Sequence, residues 1–413
     1  MADVETNWAG NHTYAGRVER PGGIEQLQEL VAREPRVRPL GSRHSFTDVT
    51  DTDGVLVSLE RLPTSVEVDD ESRTATVRGR ALYGDVARAL ERHGWALGNL
   101  ASLPHISVAG AVATGTHGSG DRNGSLAAAV RGLEVVGPDG AIRTLARGDA
   151  DLPGSVVALG ALGVVTGLTL DLEPTYPVRQ DVYTGLTWER LEADLDAITA
   201  DAYSVSLFTR WDDAGIYQAW RKSREDAAPD TFFGARRADR TMHMLDGGPT
   251  ESVTGQLGEA GPWLDRLPHF RMEFTPSRGE ELQSEYLVPR AAARQAIEGL
   301  RALRDRMAPV LQACELRTVA ADDLWLSSSY GHDVVGIHFT WVRDVPAVYG
   351  LLPALEDLLL PLGGRPHWGK CFVATAAELD PLYPRLGDFR ALRDRVDPDR
   401  VFGNAFLDRV IGA

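Results

Sequence analysis

The sequence predicts an α+β protein of two domains, on three observations. The first 172 residues carry short strand and turn signals interrupted by two helical patterns. Pro174 and Pro177 then break the chain. Beyond them, helical and strand patterns alternate. At 413 residues the chain is long enough for two domains and a substantial core.

Taken in order, Ile24, Leu27, Leu30 and Val31 fall at helical spacing and predict a helix over residues 23–34. Residues 36–40 read as a short extended piece, and 41–45 turn sharply. Strand signals follow at 54–59, 65–68 and 74–78. Leu82, Val86 and Leu90 stand four apart and predict a second helix over 83–93, stopped at Gly94. Residues 132–136 and 141–145, joined by Pro138-Asp139-Gly140, predict a hairpin, and 168–172 a last strand. Past the prolines, 186–198 and 290–307 read as helices, and 204–209, 271–274, 316–319 and 334–342 as strands. Residues 221–262 lack periodicity and are rich in Arg, Asp, Gly and Pro, which predicts long loops. From Gly363 the composition again resembles the first part. The expected division is 1–173, 174–362, and a segment 363–413 returning to the first domain.

Composition narrows the function. Lys plus Arg number 43 against 59 Asp plus Glu, a net charge of −16. That argues against nucleic acid or an anionic membrane as a partner. Two cysteines, Cys314 and Cys371, imply no disulfide framework and fit a reducing compartment. The first ten residues show no basic segment followed by an apolar one, and the apolar run 154–170 is broken by glycines. A cytoplasmic protein is expected.

Two loops carry the candidate chemistry. One runs Ser102-Leu103-Pro104-His105-Ile106-Ser107-Val108-Ala109-Gly110 and on through Thr114-Gly115-Thr116-His117-Gly118-Ser119-Gly120. The other is Pro39-Leu40-Gly41-Ser42-Arg43-His44-Ser45. Both are rich in glycine and hydroxyl groups and both contain histidine. Glycine admits a close backbone approach, and successive free N–H groups make pockets for anions. Two such loops are able to hold a pyrophosphate between them, although each read alone is equally a surface loop.

Further along, two strands alternate. In Cys314-Glu315-Leu316-Arg317-Thr318, period two places Glu315 and Arg317 on one face. In Gly336-Ile337-His338-Phe339-Thr340-Trp341, His338 and Thr340 share a face opposite Ile337, Phe339 and Trp341. On the pattern alone, a sheet with one face in water is the preferred reading.

Both loops, with Arg38 before the first, resemble the FAD-binding domain of the vanillyl-alcohol oxidase type. Asn7-Trp8-Ala9-Gly10-Asn11 and His367-Trp368-Gly369-Lys370 narrow the resemblance to the alditol oxidases, over nearly the whole chain. It implies a two-domain FAD-binding fold with a mixed α/β substrate (cap) domain. It also implies FAD linked covalently to His44. Pro39, Leu40, Gly41, Ser42, Arg43 and Ser45 would surround the cofactor, with Thr114, Gly115, Thr116 and His117. Ser107, Gly110 and Val165 match further cofactor contacts, and Ser102 is expected to meet both cofactor and substrate.

Glu315, Arg317, His338, Thr340 and Lys370 match the family's polyol pocket. The resemblance implies that Lys370, Arg317 and His338 take up or stabilise the proton of the terminal hydroxyl. Glu315 and Ser102 would hold the neighbouring hydroxyls. A polyol demands a dense polar cluster, because a buried unpaired hydroxyl costs ~1–3 kcal/mol. Hydride passing to the flavin and on to O2 gives an aldose and hydrogen peroxide. A monomer acting on a small polyol is expected, with Ala101 as a candidate gate for oxygen. Two rivals stand beside this: a dehydrogenase using another electron acceptor, and a flavin-retaining binding protein without turnover.

Four other signals fail on their residues. Gly364-Arg365-Pro366-His367-Trp368-Gly369-Lys370-Cys371 has Cys where a nucleotide-hydrolase loop needs Ser or Thr. Residues 115–120 lack the spacing of a dinucleotide fingerprint. The ten histidines form no metal-ligand pattern, and the two cysteines read as small apolar fillers.

Overall fold

A computed structural model describes residues 5–224, 227–245, 247–274 and 280–412. The helix Ile24–Arg33 forms where the spacing predicts, burying Leu27, Leu30 and Val31, with Glu25 in its first turn and Arg33 in its last. It packs on a parallel three-stranded sheet in which Val55–Ser58 lies between Arg17–Glu19 and Val37–Leu40. Val37, Val55, Val57, Val136 and Val164 complete that core, and Phe402 from the far end of the chain closes it.

Beside it stands an antiparallel sheet in the order Ser65–Asp69, Thr74–Arg78, Val164–Asp171, Val130–Val136, Ile142–Ala146. The last two are the expected hairpin. The helix Tyr83–Arg92 buries Val86 and Leu90 as its spacing requires.

The larger sheet is antiparallel. Among the described residues it has ten strands, in the order Thr231–Phe232, Ala235–Arg237, Pro177–Thr184, Ile216–Ser223, Ser204–Thr209, Leu311–Val319, Val334–Val342, Glu281–Pro289, Arg365–Pro366. Gly261–Pro262 pairs beside Pro177–Thr184. Val345–Leu362 is long and apolar enough to cross a membrane. Here Val348, Leu352, Leu355 and Leu359 are fully buried in the core.

Arg38 ties the front and back of the chain together. Its fully buried guanidinium donates to the carbonyls of Gly160 (3.0 Å), Phe402 (2.7 Å), Leu159 (2.6 Å) and Val49. Asn404 likewise donates to the carbonyls of Asp48, Val49 and Asp51.

Several elements depart from expectation. Residues 271–274 form turns rather than a strand. The chain there is pinned by Arg271 N–H to the Ser252 carbonyl, and by His269 and Phe270 N–H to that of Ser102. The helix expected over 290–307 is divided into Arg290–Ala292, Ala293–Ala302 and Arg304–Met307. Of the expected loops over 221–262, residues 221–223 instead end the strand Ile216–Ser223, and beyond them the described residues make three two- or three-residue strands at the sheet edge, too short to show a period. Inside the first glycine-rich stretch lies a six-residue helix, Val108–Ala113, unforeseen because small residues hide its period.

Candidate active site

One long cavity runs between the first part of the chain and the large sheet. Both glycine-rich loops line it. Pro39, Leu40, Gly41, Ser42, Arg43, His44 and Ser45 face Ser102, Ser107, Gly110, Thr114, Thr116, His117 and Val165 across it. Of the expected cofactor residues, Gly115 alone is absent from the wall. Its φ of +65° ends the Val108–Ala113 helix and turns the chain toward His117.

The loops hold one another directly, since Ser107 N–H donates to Ser42 Oγ at 3.0 Å. Arg43 is forced to φ +63°, a strained conformation for a residue with a side chain. Its carbonyl accepts from Trp8 N–H, and the Trp8 ring stacks on His44 with centroids 5.4 Å apart. Asn7 and Asn11 donate to the carbonyls of Ser45 and Phe46 and clamp the loop from outside. Burial pushes the His44 imidazole down to about 4, so it is neutral at pH 7.

At the other end, sheet register builds a polar row. Glu315, His338 and Glu285 lie directly opposite one another on three neighbouring strands. Arg317 is two residues along from Glu315, and Thr340 two along from His338. Period two therefore puts all five on the cavity face, while Leu316, Ile337 and Phe339 enter the core behind. Lys370 arrives from the loop after Arg365–Pro366, held by Cys371 N–H to the Gln283 carbonyl. The water-facing alternative is excluded: Glu315, Arg317, His338 and Lys370 keep side-chain exposures of only 5–13%.

The network is dense. Arg317 Nη2 donates to Glu285 Oε1 (2.9 Å) and lies 3.2 Å from His338 Nδ1. Lys370 Nζ donates to Glu285 Oε2 (2.5 Å) and lies 3.0 Å from the same Nδ1. Neither cation can accept, so His338 Nδ1 accepts from both and the ring proton sits on Nε2, 3.5 Å from Thr340 Oγ1. Burial, then the Lys370 charge, holds His338 well below its ordinary range. Burial also lowers Lys370, against the pull of Glu285. Glu315 stays far below the carboxylate range because Arg317 and His269 outweigh its burial. Arg317 Nη1 reaches Ser102 Oγ at 3.3 Å. Among the described residues Arg317 Nε makes no hydrogen bond, only a charge contact with Glu315 at 3.6 Å.

Three buried groups escaped the sequence reading. Glu285 bridges Arg317 and Lys370, and in sequence it only borders the apolar run Tyr286-Leu287-Val288, after the polar Gln283 and Ser284. His269 donates through Nε2 to Glu315 Oε1 at 2.8 Å. Lys222, pushed down to about 7 by burial, donates to the Leu267 and Pro268 carbonyls and to His269 Nδ1. No spacing in sequence links these three.

The chemistry of the walls agrees with the comparisons. Residues 16–146 match the family model for an FAD binding domain, and 275–410 match that for D-arabinono-1,4-lactone oxidase. An alditol oxidase from Streptomyces sp. is 50% identical over 411 residues, covering 98% of this chain and 99% of the relative. The chain belongs to the alditol oxidase family. An L-gulono-1,4-lactone dehydrogenase from Mycobacterium tuberculosis is 32% identical over 436 residues, all of both chains. Cholesterol oxidase from B. sterolicum shares the fold, with a TM-score of 0.81 over 99% of this chain and 96% of that one at 16% identity. The α+β flavoenzyme fold and the FAD cofactor expected from the motifs are therefore those of this alditol oxidase family member.

The cavity fits FAD on its own evidence. His44 Nδ1 and Ser107 Oγ are buried there with no hydrogen-bond partner among the described residues. A Cβ on Gly41 or Gly110 would come within 2.8 Å of Ser107 Oγ, so both glycines keep the cradle open.

The buried histidines set an acid limit on stability. His269 is pushed down to about 4 by burial and then by the Lys222 charge, from an ordinary 6.5. His338 and His367 are also depressed, His367 by burial and Lys370. A depressed folded value means stability is complete above pH 6.5 and is lost as the pH falls, because only the unfolded chain takes the proton. The unfolding free energy should fall between pH 6.5 and 4.5 by ~1.4 kcal/mol per pH unit for each such histidine. Urea melts across that window should show it, and His269→Gln should flatten the slope by one such increment.

Proposed function

We propose that the chain oxidises the terminal primary hydroxyl of alditols such as xylitol and sorbitol to the aldose, reducing O2 to hydrogen peroxide. In this reading residues 1–173 and 363–413 hold the cofactor and 174–362 carry the substrate. His44, neutral, stacked and unpaired at Nδ1, is the point of covalent attachment. FAD, when bound, would accept the hydride from C1 and pass its two electrons to oxygen; the proton released from the hydroxyl would be taken up again as O2 becomes hydrogen peroxide.

The observation that carries the reading is the buried row Glu315, His338 and Glu285 with Arg317 and Lys370. An alditol is nearly all hydroxyl, and this cavity end offers charged and neutral donors beside carboxylate acceptors. His338 Nε2–H and Lys370 Nζ steady the oxygen of the reacting hydroxyl and any charge that grows on it. Ser102, Glu315 and Thr340, together with the unpaired Arg317 Nε, hold the next hydroxyls and fix the direction of C1.

A second reading keeps the cofactor and replaces oxygen with another acceptor, and the dehydrogenase relative favours it. Steady-state turnover of xylitol should release peroxide matching the alditol consumed. Rapid dye reduction with little peroxide would give the second reading instead.

A further inference from the structure

Glu285 is a wholly buried carboxylate outside the set of substrate-binding residues. Its Oε2 lies 2.5 Å from Lys370 Nζ, its Oε1 2.9 Å from Arg317 Nη2, and Oε1 is also 3.2 Å from His117 Nε2 in the cofactor loop. Space is reserved for it: a Cβ on Gly336 would stand 3.0 Å from Oε1 and 3.4 Å from His117 Cε1. We infer that Glu285 is the positioning residue of this site, its two oxygens holding Lys370 and Arg317 side by side so that both donate to His338 Nδ1. This rests on the alditol-site reading and adds to it.

The consequence lies in where the proton sits on His338. With Nδ1 occupied by two cationic donors, the ring turns Nε2–H toward Thr340 and is a donor to a bound hydroxyl, not a base. Spread Lys370 and Arg317 apart, and that tautomer loses its lock. Four formal charges balance here: Arg317 and Lys370 against Glu285 and Glu315. The groups facing Lys370 are Glu285 and Glu281 from one strand, His338 from the next, Arg317 and Glu315 from a third and His367 from its own loop, while His117 of the cofactor loop meets Glu285 and His367. Neutralising Glu285 leaves one buried cation without a counter-charge, and an ammonium surrenders its proton far more readily than a guanidinium.

The test uses the flavin-loaded protein. In Glu285→Gln, Lys370 should become neutral within the working range. The kcat/KM for xylitol should then fall about tenfold per pH unit above a new midpoint absent from the parent. The same midpoint should appear in the flavin absorbance without any substrate, and vanish in Glu285→Gln combined with Lys370→Met. Glu285→Asp keeps the charge but is one methylene too short to touch both cations. It should retain the parent pH profile while kcat drops at least about tenfold, a change of ~1.4 kcal/mol. A uniform loss in Glu285→Gln with no new midpoint would overturn the inference, as would an aspartate variant as fast as the parent. If the parent itself oxidises no alditol, the functional reading fails. The substrate-free titration still decides the role of Glu285.

Discussion

Lys370→Ala is expected to lower kcat/KM for xylitol by at least about 10²–10³, the usual cost of removing one preorganised donor at a reacting oxygen. Three effects coincide in that side chain. It supplies a charge at the cavity end, it is one of two donors fixing His338, and it neutralises half of Glu285. Removing it leaves a buried carboxylate on Arg317 alone, which by itself costs about 3–5 kcal/mol when no partner remains. With Arg317 still 2.9 Å away, stability should drop by less than that, while the rate falls in full. Melting temperature and stopped-flow reduction measured on one preparation would show the split. A variant that kept its flavin and its turnover would remove Lys370 from the site.

His44→Ala should change the colour of the acid precipitate. In the parent, acid-denatured protein should carry its yellow flavin into the pellet, because the proposed bond to His44 would survive unfolding. In the variant the flavin should pass wholly to the supernatant. The remaining cradle, the other residues of Pro39 to Ser45 with Ser107, Gly110, Thr114, Thr116 and His117, still lines the cavity, so the native variant should retain noncovalent FAD. Its oxidising power should nonetheless fall, since an alkylated isoalloxazine is the stronger oxidant. Each ~30 mV lost from a two-electron couple removes about 1.4 kcal/mol of driving force. Reduction by xylitol should slow accordingly. A parent protein that released all its flavin in acid would refute the tether.

Much of this was legible in the residues because local rules and tertiary structure agreed. The alternation in 315–317 and 338–340 gave the correct shared face, and the hairpin around Pro138-Asp139-Gly140 formed as its turn residues demand. Other parts depended on distant partners. The strands Pro177–Thr184, Ile216–Ser223 and Glu281–Pro289 are buried on both faces and carry polar residues such as Gln180, Asp181, Lys222 and Glu285. Their pattern is neither alternating nor continuously apolar, so a period-two search passes over them. Glu285 and His269 became site residues only when pairing set them beside His338 and Glu315. Residues 271–274 show the converse, where a strand-like composition lost to hydrogen bonds from a loop fixed at Ser102 and Ser252.

In the proposed arrangement one cavity holds the flavin at one end and an alditol against the Glu315, His338 and Lys370 wall at the other. Anaerobic addition of xylitol to the purified yellow protein tests it most directly. The flavin absorption should bleach, and admitting air should restore it with an equivalent of hydrogen peroxide. A flavin band that neither xylitol nor sorbitol bleaches would contradict it.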